Sequence, residues 1–352
     1  MIKTLAAANK SEREHFKIPR SVQQSIPIQR IYRDGIWMVN GKYSRTWRFA
    51  DINYSVASHE DQQEMFLSYC GVLNSLPTGA TAKITINNRR LNGTDFQHSV
   101  LMRLKGDGLD KYRQEYNGIL MEKAVESNNL IQDKYITISV ERKNIEEART
   151  FFKRVDIDLG KSFGKLDSGA KALDNHERLR IFHDFFRPGE EQDFRIDLSE
   201  AMKRGHSFKD AIAPDGMQFK ADHFEIGGKV GRVLFLREYA SYIKDRMITD
   251  LSDFSRNLML SIDILPVPTN EAIKEMQARI LGVESDITRW QQKQNANNNF
   301  TATVPYELEQ LRAENKEFLD DLSTRDQRMI FANVTLVHMA DTLEQLDADT
   351  SV

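Results

Sequence analysis

The sequence predicts an α+β fold of two sheet-plus-helix sandwich units, the second carrying an inserted antiparallel helical hairpin. Three observations lead there. Apolar residues recur with period two in some stretches and at spacings of three and four in others, and the two kinds of stretch alternate. Gly35 to Arg90 reads strand, tight turn, strand, helix, strand with hardly a conflicting signal. From that hairpin to Lys165 the order is β-β-α-β-α-β-α, and it returns from Ala221 onward as β-β-α-β-α-α-β-α.

Residues 1–30 show no sustained period. Ser21 to Ile28 reads as an extended lead-in, because Pro27 disfavours helix at Ile26. Asn40-Gly41, which tolerates positive φ at both central turn positions, joins Ile36–Val39 to a strand from Tyr43. Trp47 and Phe49 point inward on that strand. The phase then shifts to Ile52, Tyr54 and Val56, which predicts a bulge near Ala50-Asp51. A helix follows from Ser58 to Leu76, with Phe66, Tyr69, Cys70, Leu73 and Leu76 on its apolar face and Pro77 and Gly79 as stops. Thr81–Asn87 alternates as a half-buried strand. Asn92-Gly93 marks a loop, and Thr94 or Asp95 caps a helix from near Phe96 that Gly106 and Gly108 interrupt. A longer helix spans Leu109–Ser127. Tyr135–Glu141 is a strand with Ile136, Ile138 and Val140 buried. A helix from Asn144 to Lys165 presents Ile145, Ala148, Phe152, Val155 and Leu159.

Asn175–Phe186 is helical and ends at Pro188-Gly189. Beyond it, 188–220 reads as an irregular linker. Strands His223–Ile226 and Arg232–Tyr239 flank Gly227-Gly228-Lys229-Val230-Gly231, a short helix spans Thr249–Leu260, and a strand spans Ser261–Val267. The long helix Thr269–Gln294 repeats Ile273, Met276, Ile280, Val283, Ile287 and Trp290 at three and four. After the polar break Asn295–Asn299, the helix Val304–Leu322 has Pro305 in its first turn, where a missing N–H is harmless. A strand, Arg328–Met339, and a helix beginning at Asp341 close the chain. The expected organisation is a basic, loosely structured arm (1–30), a first unit (31–187), the linker (188–220) and a second unit (221–352) with hairpin 269–322. Each unit is expected to be a ferredoxin-like sandwich. The repeat is one of element order, not of residues.

Of 352 residues, 40% are hydrophobic and 29% charged, enough for packed cores. No run approaches the roughly 18 apolar residues of a membrane-spanning helix. The first twenty residues hold Lys3, Lys10, Arg13, Lys17 and Arg20 without an apolar core, so no secretory signal is expected. The single Cys70 cannot form an internal disulfide; it is expected to pack inside the protein, in a reducing, cytoplasmic compartment. The net charge of −3 hides an asymmetry. Residues 1–33 carry seven Lys/Arg against Glu12 and Glu14, and residues 269–352 carry eight against fifteen Asp/Glu. The basic end suits an acidic partner or the anionic cytoplasmic face of a membrane.

The candidate motifs do not assemble into a catalytic centre. Gly160-Lys161-Ser162 ends like a phosphate-binding loop, but Val155 stands where the loop needs its first glycine, Asp156 and Asp158 lie where phosphate would sit, and the stretch is helical. The glycines at 227–231 read as a hairpin turn. His176-Glu177 and His183-Asp184 are seven apart rather than four, so they read as exposed helix residues and not zinc ligands. Asp320-Asp321 reads as a solvated face. Arg89-Arg90, Arg103, Lys105 and Arg113 lack interleaved aromatics, so nucleic acid is not an expected partner. No catalytic, cofactor-binding or metal-ligating residue is assigned. Trp290, near the hairpin tip, is the residue singled out for contact with another protein.

The opening hairpin with Tyr43-Ser-Arg-Thr-Trp-Arg-Phe49, the helix Asp61–Leu76 and the strand Ala82–Asn87 resemble the start of the TrbE/CagE (VirB-four) conjugation ATPases of type IV secretion. Ser252 to Pro268 is similar in character to the segment before that family's helical hairpin, and Met329 to Leu346 to the element after it. The resemblance covers roughly residues 30–350. It implies that the chain is the N-terminal domain, without the RecA-like motor that carries ATP, magnesium and the catalytic residues. The implied role is to dock that motor on membrane-channel subunits at the inner face of the cell membrane and to support self-association, with no catalysis or cofactor of its own. Residues 1–33 would make the membrane-proximal contacts. The alternative is a stand-alone scaffold that binds a partner through its helical hairpin.

Overall fold

A computed structural model describes residues 19–90, 101–126, 130–239, 246–254, 256–297, 299, 303–325 and 327–352. The first half contains helix α1 (Val22–Ser25) and strands β1 (Ile28–Ile31), β2 (Trp37–Val39) and β3 (Lys42–Phe49). It continues with α2 (His59–Ser75), β4 (Ala80–Arg90), α3 (Asp110–Glu126), β5 (Leu130–Val140) and α4 (Ile145–Gly164). A connecting region holds β6 (Ala170–Ala172), α5 (Asn175–Phe186), α6 (Leu198–Lys203) and two short 3-10 turns. The second half comprises β7 (Met217–Phe219), β8 (Phe224–Ile226), β9 (Lys229–Phe235), α7 (Arg246–Ser252), β10 (Leu258–Pro266), α8 (Thr269–Ala296), α9 (Tyr306–Thr324), β11 (Ile330–Ala340) and α10 (Leu343–Ser351).

The two predicted orders of elements are both present. Two separate sheets are not. Among the described residues the eleven strands belong to one antiparallel sheet, in the order β1-β2-β3-β5-β4-β10-β11-β9-β8-β7, with β6 on the far end of β3. The order is a palindrome when β1–β5 is matched to β7–β11. The halves meet where β4 pairs β10, from Leu258 opposite Asn88 to Ile264 opposite Ala82. Period-two patterning cannot reveal that union, because it shows which face of a strand is buried and not which backbone edge is paired. Joining β4 to β10 removes two open edges, each a row of unsatisfied backbone groups.

The two faces of the sheet differ. One is apolar and carries the main core: Tyr43 and Trp47 of β3, Ile136 and Ile138 of β5 and Ala82 of β4 pack against α4 and the C-terminal turns of α2. Helix α4 is built for this. Asn144 caps it by accepting from the Glu147 N–H at 2.9 Å, and Ala148, Phe152, Val155, Leu159 and Phe163 form one buried stripe. In the second half Leu258, Leu260 and Val334 continue the apolar face, and α10 lies on β9 and β11, with Arg232 donating to Asp347 at 2.8 Å. The other face carries Ser44, Thr46, Thr85, Thr137, Ser139 and Ser261, and α5 lies across it.

Several local expectations need correction. The strand from Tyr43 ends at Phe49 and has no bulge at Ala50-Asp51; β6 pairs its last residues, and the Ser168 hydroxyl donates to the Ala50 carbonyl at 2.6 Å. Helix α2 buries Val72 and Leu76 but leaves Phe66 57% and Tyr69 42% exposed, because its packing against α4 selects a stripe rotated from the one that simple counting picks. Cys70 is only half-buried. The expected helix through Leu260 stops at Ser252, and Leu258–Leu260 already belong to β10. The arm and the linker are less loose than expected. Ile28–Ile31 is a strand, and Ile26 and Ile28 are buried with Leu179, Ile212 and Ala213. Lys209 ties the two segments by donating to the Gln23 and Ile26 carbonyls at 2.9 and 2.8 Å. The helix expected from Phe96 begins outside the described residues, as does most of the arm.

The Asn40-Gly41 turn is as expected, with φ of 48° and 76°. Gly231 has a different reason: a Cβ there would come within 2.3 Å of the Phe224 ring, which lies directly over it.

Candidate functional site

Two parts of the molecule offer surfaces suited to binding. The first is the hairpin of α8 and α9. Its base is anchored: Val267, Ala272, Met276, Leu322 and Met329 form a small core where the helices leave the sheet. Farther out, the helices pack on each other through Val283 and Ile287, and Lys316 pairs with Glu284 at 3.6 Å. Helix α8 has 28 residues and is thus about 42 Å long at the α-helical rise. Leu281 of α8 (70% exposed) and Tyr306 (77%) and Leu311 of α9 remain on the hairpin's outer surfaces. Trp290, predicted at the tip, is half-buried. A second apolar area lies on the sheet face of the second half, where Leu265 is paired across strands with Phe331, and Val233 and Phe235 stand nearby on β9, all exposed.

The other part is a groove between the hydroxyl-bearing sheet face and α5, enclosing about 360 Å³. Asp174 starts α5 as part of a capping box with Glu177. The indole of Trp37 donates to Asn175 Oδ1 at 2.8 Å, and Asn175 donates to the Tyr32 carbonyl at 2.8 Å. These bonds fix the helix over β2. Arg178 then enters the protein fully buried. Its Nη1 donates to the carbonyls of Gly35 (2.9 Å) and Ser44 (3.1 Å), its Nη2 donates to the Ser44 hydroxyl (3.2 Å), and it stacks over the Trp37 ring at 4.1 Å. Burial pulls its pKa down to about 9, and Arg45 adds a smaller push; it remains a cation at neutral pH.

The motifs singled out in the sequence fall elsewhere. Gly160, Lys161 and Ser162 sit inside α4. Asp156, in the same stretch, is a structural acceptor for the Trp47 indole (2.7 Å) and Arg45 (2.6 Å). Gly227 and Gly228 form the turn between β8 and β9 with φ of 56° and 73°. His183 and Asp184 are buried rather than exposed. The His183 ring packs 5.0 Å from Phe194, and its Nδ1 lies 3.4 Å from Asp184. The connecting region covers this end of α5, which the helical pattern alone could not show. His176 is exposed. Among the described residues no group of His, Cys, Asp or Glu is arranged to hold a metal. Asp320 is exposed and Asp321 pairs with Arg325 at 3.0 Å. Of the basic residues near β4, Arg89 donates to buried Asp133 at 2.8 Å, which also pairs with Arg48, and Arg113 is held by Asp107 and Asp110. Those charges are spent within the protein.

The groove residues were not singled out in the sequence. The polar side of Ala82–Asn87 was visible there, but a polar strand face ordinarily meets solvent. Its cover comes from α5, more than eighty residues further along.

No protein-family model and no curated protein matches the chain. Among the described residues no helix is long and apolar enough to cross a membrane.

Proposed function

We propose that this chain is the N-terminal assembly and docking part of a transfer ATPase of type IV secretion, of the TrbE/CagE kind that its sequence resembles. In this reading it holds a C-terminal RecA-like motor against channel subunits at the inner face of the cell membrane and contributes to self-association. ATP and magnesium belong to the motor. The observation that carries the reading is the α8–α9 hairpin, which is anchored to the sheet at its base and keeps Leu281 and Tyr306 on its outer surfaces. Large exposed apolar side chains on a rigid support suit protein contact. Exposed Val233, Phe235 and Leu265 offer a second such area.

The finer architecture in this proposal is a pair of ferredoxin-like units. The run β3-α2-β4-β5-α4-β6 lies in sheet order β6-β3-β5-β4, with α3 in the β4–β5 connection. The run β9-α7-β10-β11-α10 lies in order β9-β11-β10, with the hairpin at the corresponding connection. On this account the hairpin is an elaboration of one connection, reaching outward without disturbing the sheet.

The test is photo-cross-linking in the native host from a benzoylphenylalanine placed at Leu281 or Tyr306. Cross-links to an integral membrane protein, or to a second copy of the chain, are expected. Cross-links exclusively to soluble proteins of another kind would favour the stand-alone scaffold and overturn the docking role.

A further inference from the structure

We propose that the groove beneath α5 binds a small organic monocarboxylate with a flat aromatic body, the carboxylate pairing with Arg178. Three features of the molecule combine to this end. The groove encloses about 360 Å³, within the usual size of small-ligand sites, and it is a mainly apolar cleft with a few convergent polar groups. A row of rings lines it, Trp37 from β2 and Phe182 and Phe186 from α5. Trp37 and Phe182 lie 5.5 Å apart, and Phe182 and Phe186 lie 6.2 Å apart and stacked at 26°. A planar ring fits beneath such a row better than a branched aliphatic body does.

The polar groups define the remainder of the ligand. Arg178 has five N–H donors, and three are engaged by Gly35 and Ser44. No carboxylate pairs with it among the described residues. Two donors in one guanidinium plane match a single carboxylate, whereas a phosphate dianion would bring a second charge into an apolar site with one cation. Lys83 at the groove's edge is already paired with Asp263 at 3.2 Å, so it adds no free charge. On the floor, Ser139 lies directly across from Ser44, placed to meet a hydroxyl or carbonyl substituent on the ring. This inference is independent of the secretion reading.

The test is a titration of the purified chain with naphthoate and, in parallel, with naphthylmethanol, which keeps the ring and loses the charge. Thermal stability and tryptophan fluorescence are the readouts, since Trp37 lines the groove. Naphthoate is expected to bind saturably and raise the melting temperature. Naphthylmethanol is expected to bind at least about tenfold more weakly, the scale of one charge-assisted hydrogen bond. Arg178→Lys, which keeps charge but loses the planar fork, should weaken naphthoate by a similar factor. Thr137→Phe fills the floor two residues along from Ser139 and should abolish binding, which keeps the test decisive if the Arg178 variant does not fold. Equal binding of acid and alcohol, binding of neither, or naphthoate binding that survives Thr137→Phe would overturn the proposal and leave Arg178 as a clamp between α5 and the β2–β3 hairpin.

Discussion

Asp156 shows how one side chain can be read in two ways. In sequence it sits where a phosphate-binding loop would need backbone N–H groups. In the structure it holds α4 to β3 by accepting from Trp47 and Arg45. Asp156→Ala leaves a buried indole N–H and a guanidinium without their acceptor. The expected loss is about 2–3 kcal/mol, read as a lower denaturant midpoint with unchanged slope. His338 gives a pH signature. It is buried against α10 with Nε2 3.1 Å from the Thr350 hydroxyl. Burial pushes its pKa below the ordinary 6.5, Asp349 opposes that shift, and Arg232 adds to it. In the window just below pH 6.5 the unfolded chain therefore binds a proton that the folded chain refuses. Stability should fall as pH drops through that window, and His338→Gln should flatten this part of the profile in unfolding titrations from pH 7.5 to 5.

At the scale of elements, the hairpin and α5 behave differently under change. In the distal hairpin the described contacts run between the two helices, as in the Lys316–Glu284 pair. Replacing residues 281–315 by a short Gly/Ser turn should remove helical circular dichroism while leaving the melting temperature of the remainder within a few degrees. A collapse of the whole fold would show that the hairpin supports the sheet. Helix α5, with Leu179 fully buried and Arg178 clamped, should tolerate no such loss; Leu179→Ala is expected to cost about 2–5 kcal/mol. The same contrast explains what the sequence made legible. Helices with one strong stripe, such as α4, and turns with demanding chemistry, such as Asn40-Gly41, are written locally. The short strands β1, β6 and β7 are not, because three or four residues carry too little period and are set by the edges they pair. Phe66 and Tyr69 are exposed for a related reason: in an apolar-rich helix, the partner chooses the buried stripe. The groove was the least legible part. Its roof comes from α5, its floor from β3, β4, β5 and β10, and no local motif links them.

Across the whole molecule, the palindromic sheet makes one body of two halves. The β4–β10 seam lies at its centre, with Ile84 directly opposite Ile262. Amides of these two strands should be among the last to exchange with deuterium, and both halves should lose protection together. Ile84→Asp, which puts an unpaired charge into the seam, should lower protection in both halves; an effect confined to the first half would mean that the units are energetically separate. The functional account adds a motor to this body, and its most direct test is the reading frame beyond codon 352 in the native gene. The account predicts that the frame continues for several hundred codons, on the order of a further domain or more, into a Gly-x-x-x-x-Gly-Lys-Ser/Thr loop. A stop codon immediately after Val352 would contradict it and leave a stand-alone binding protein.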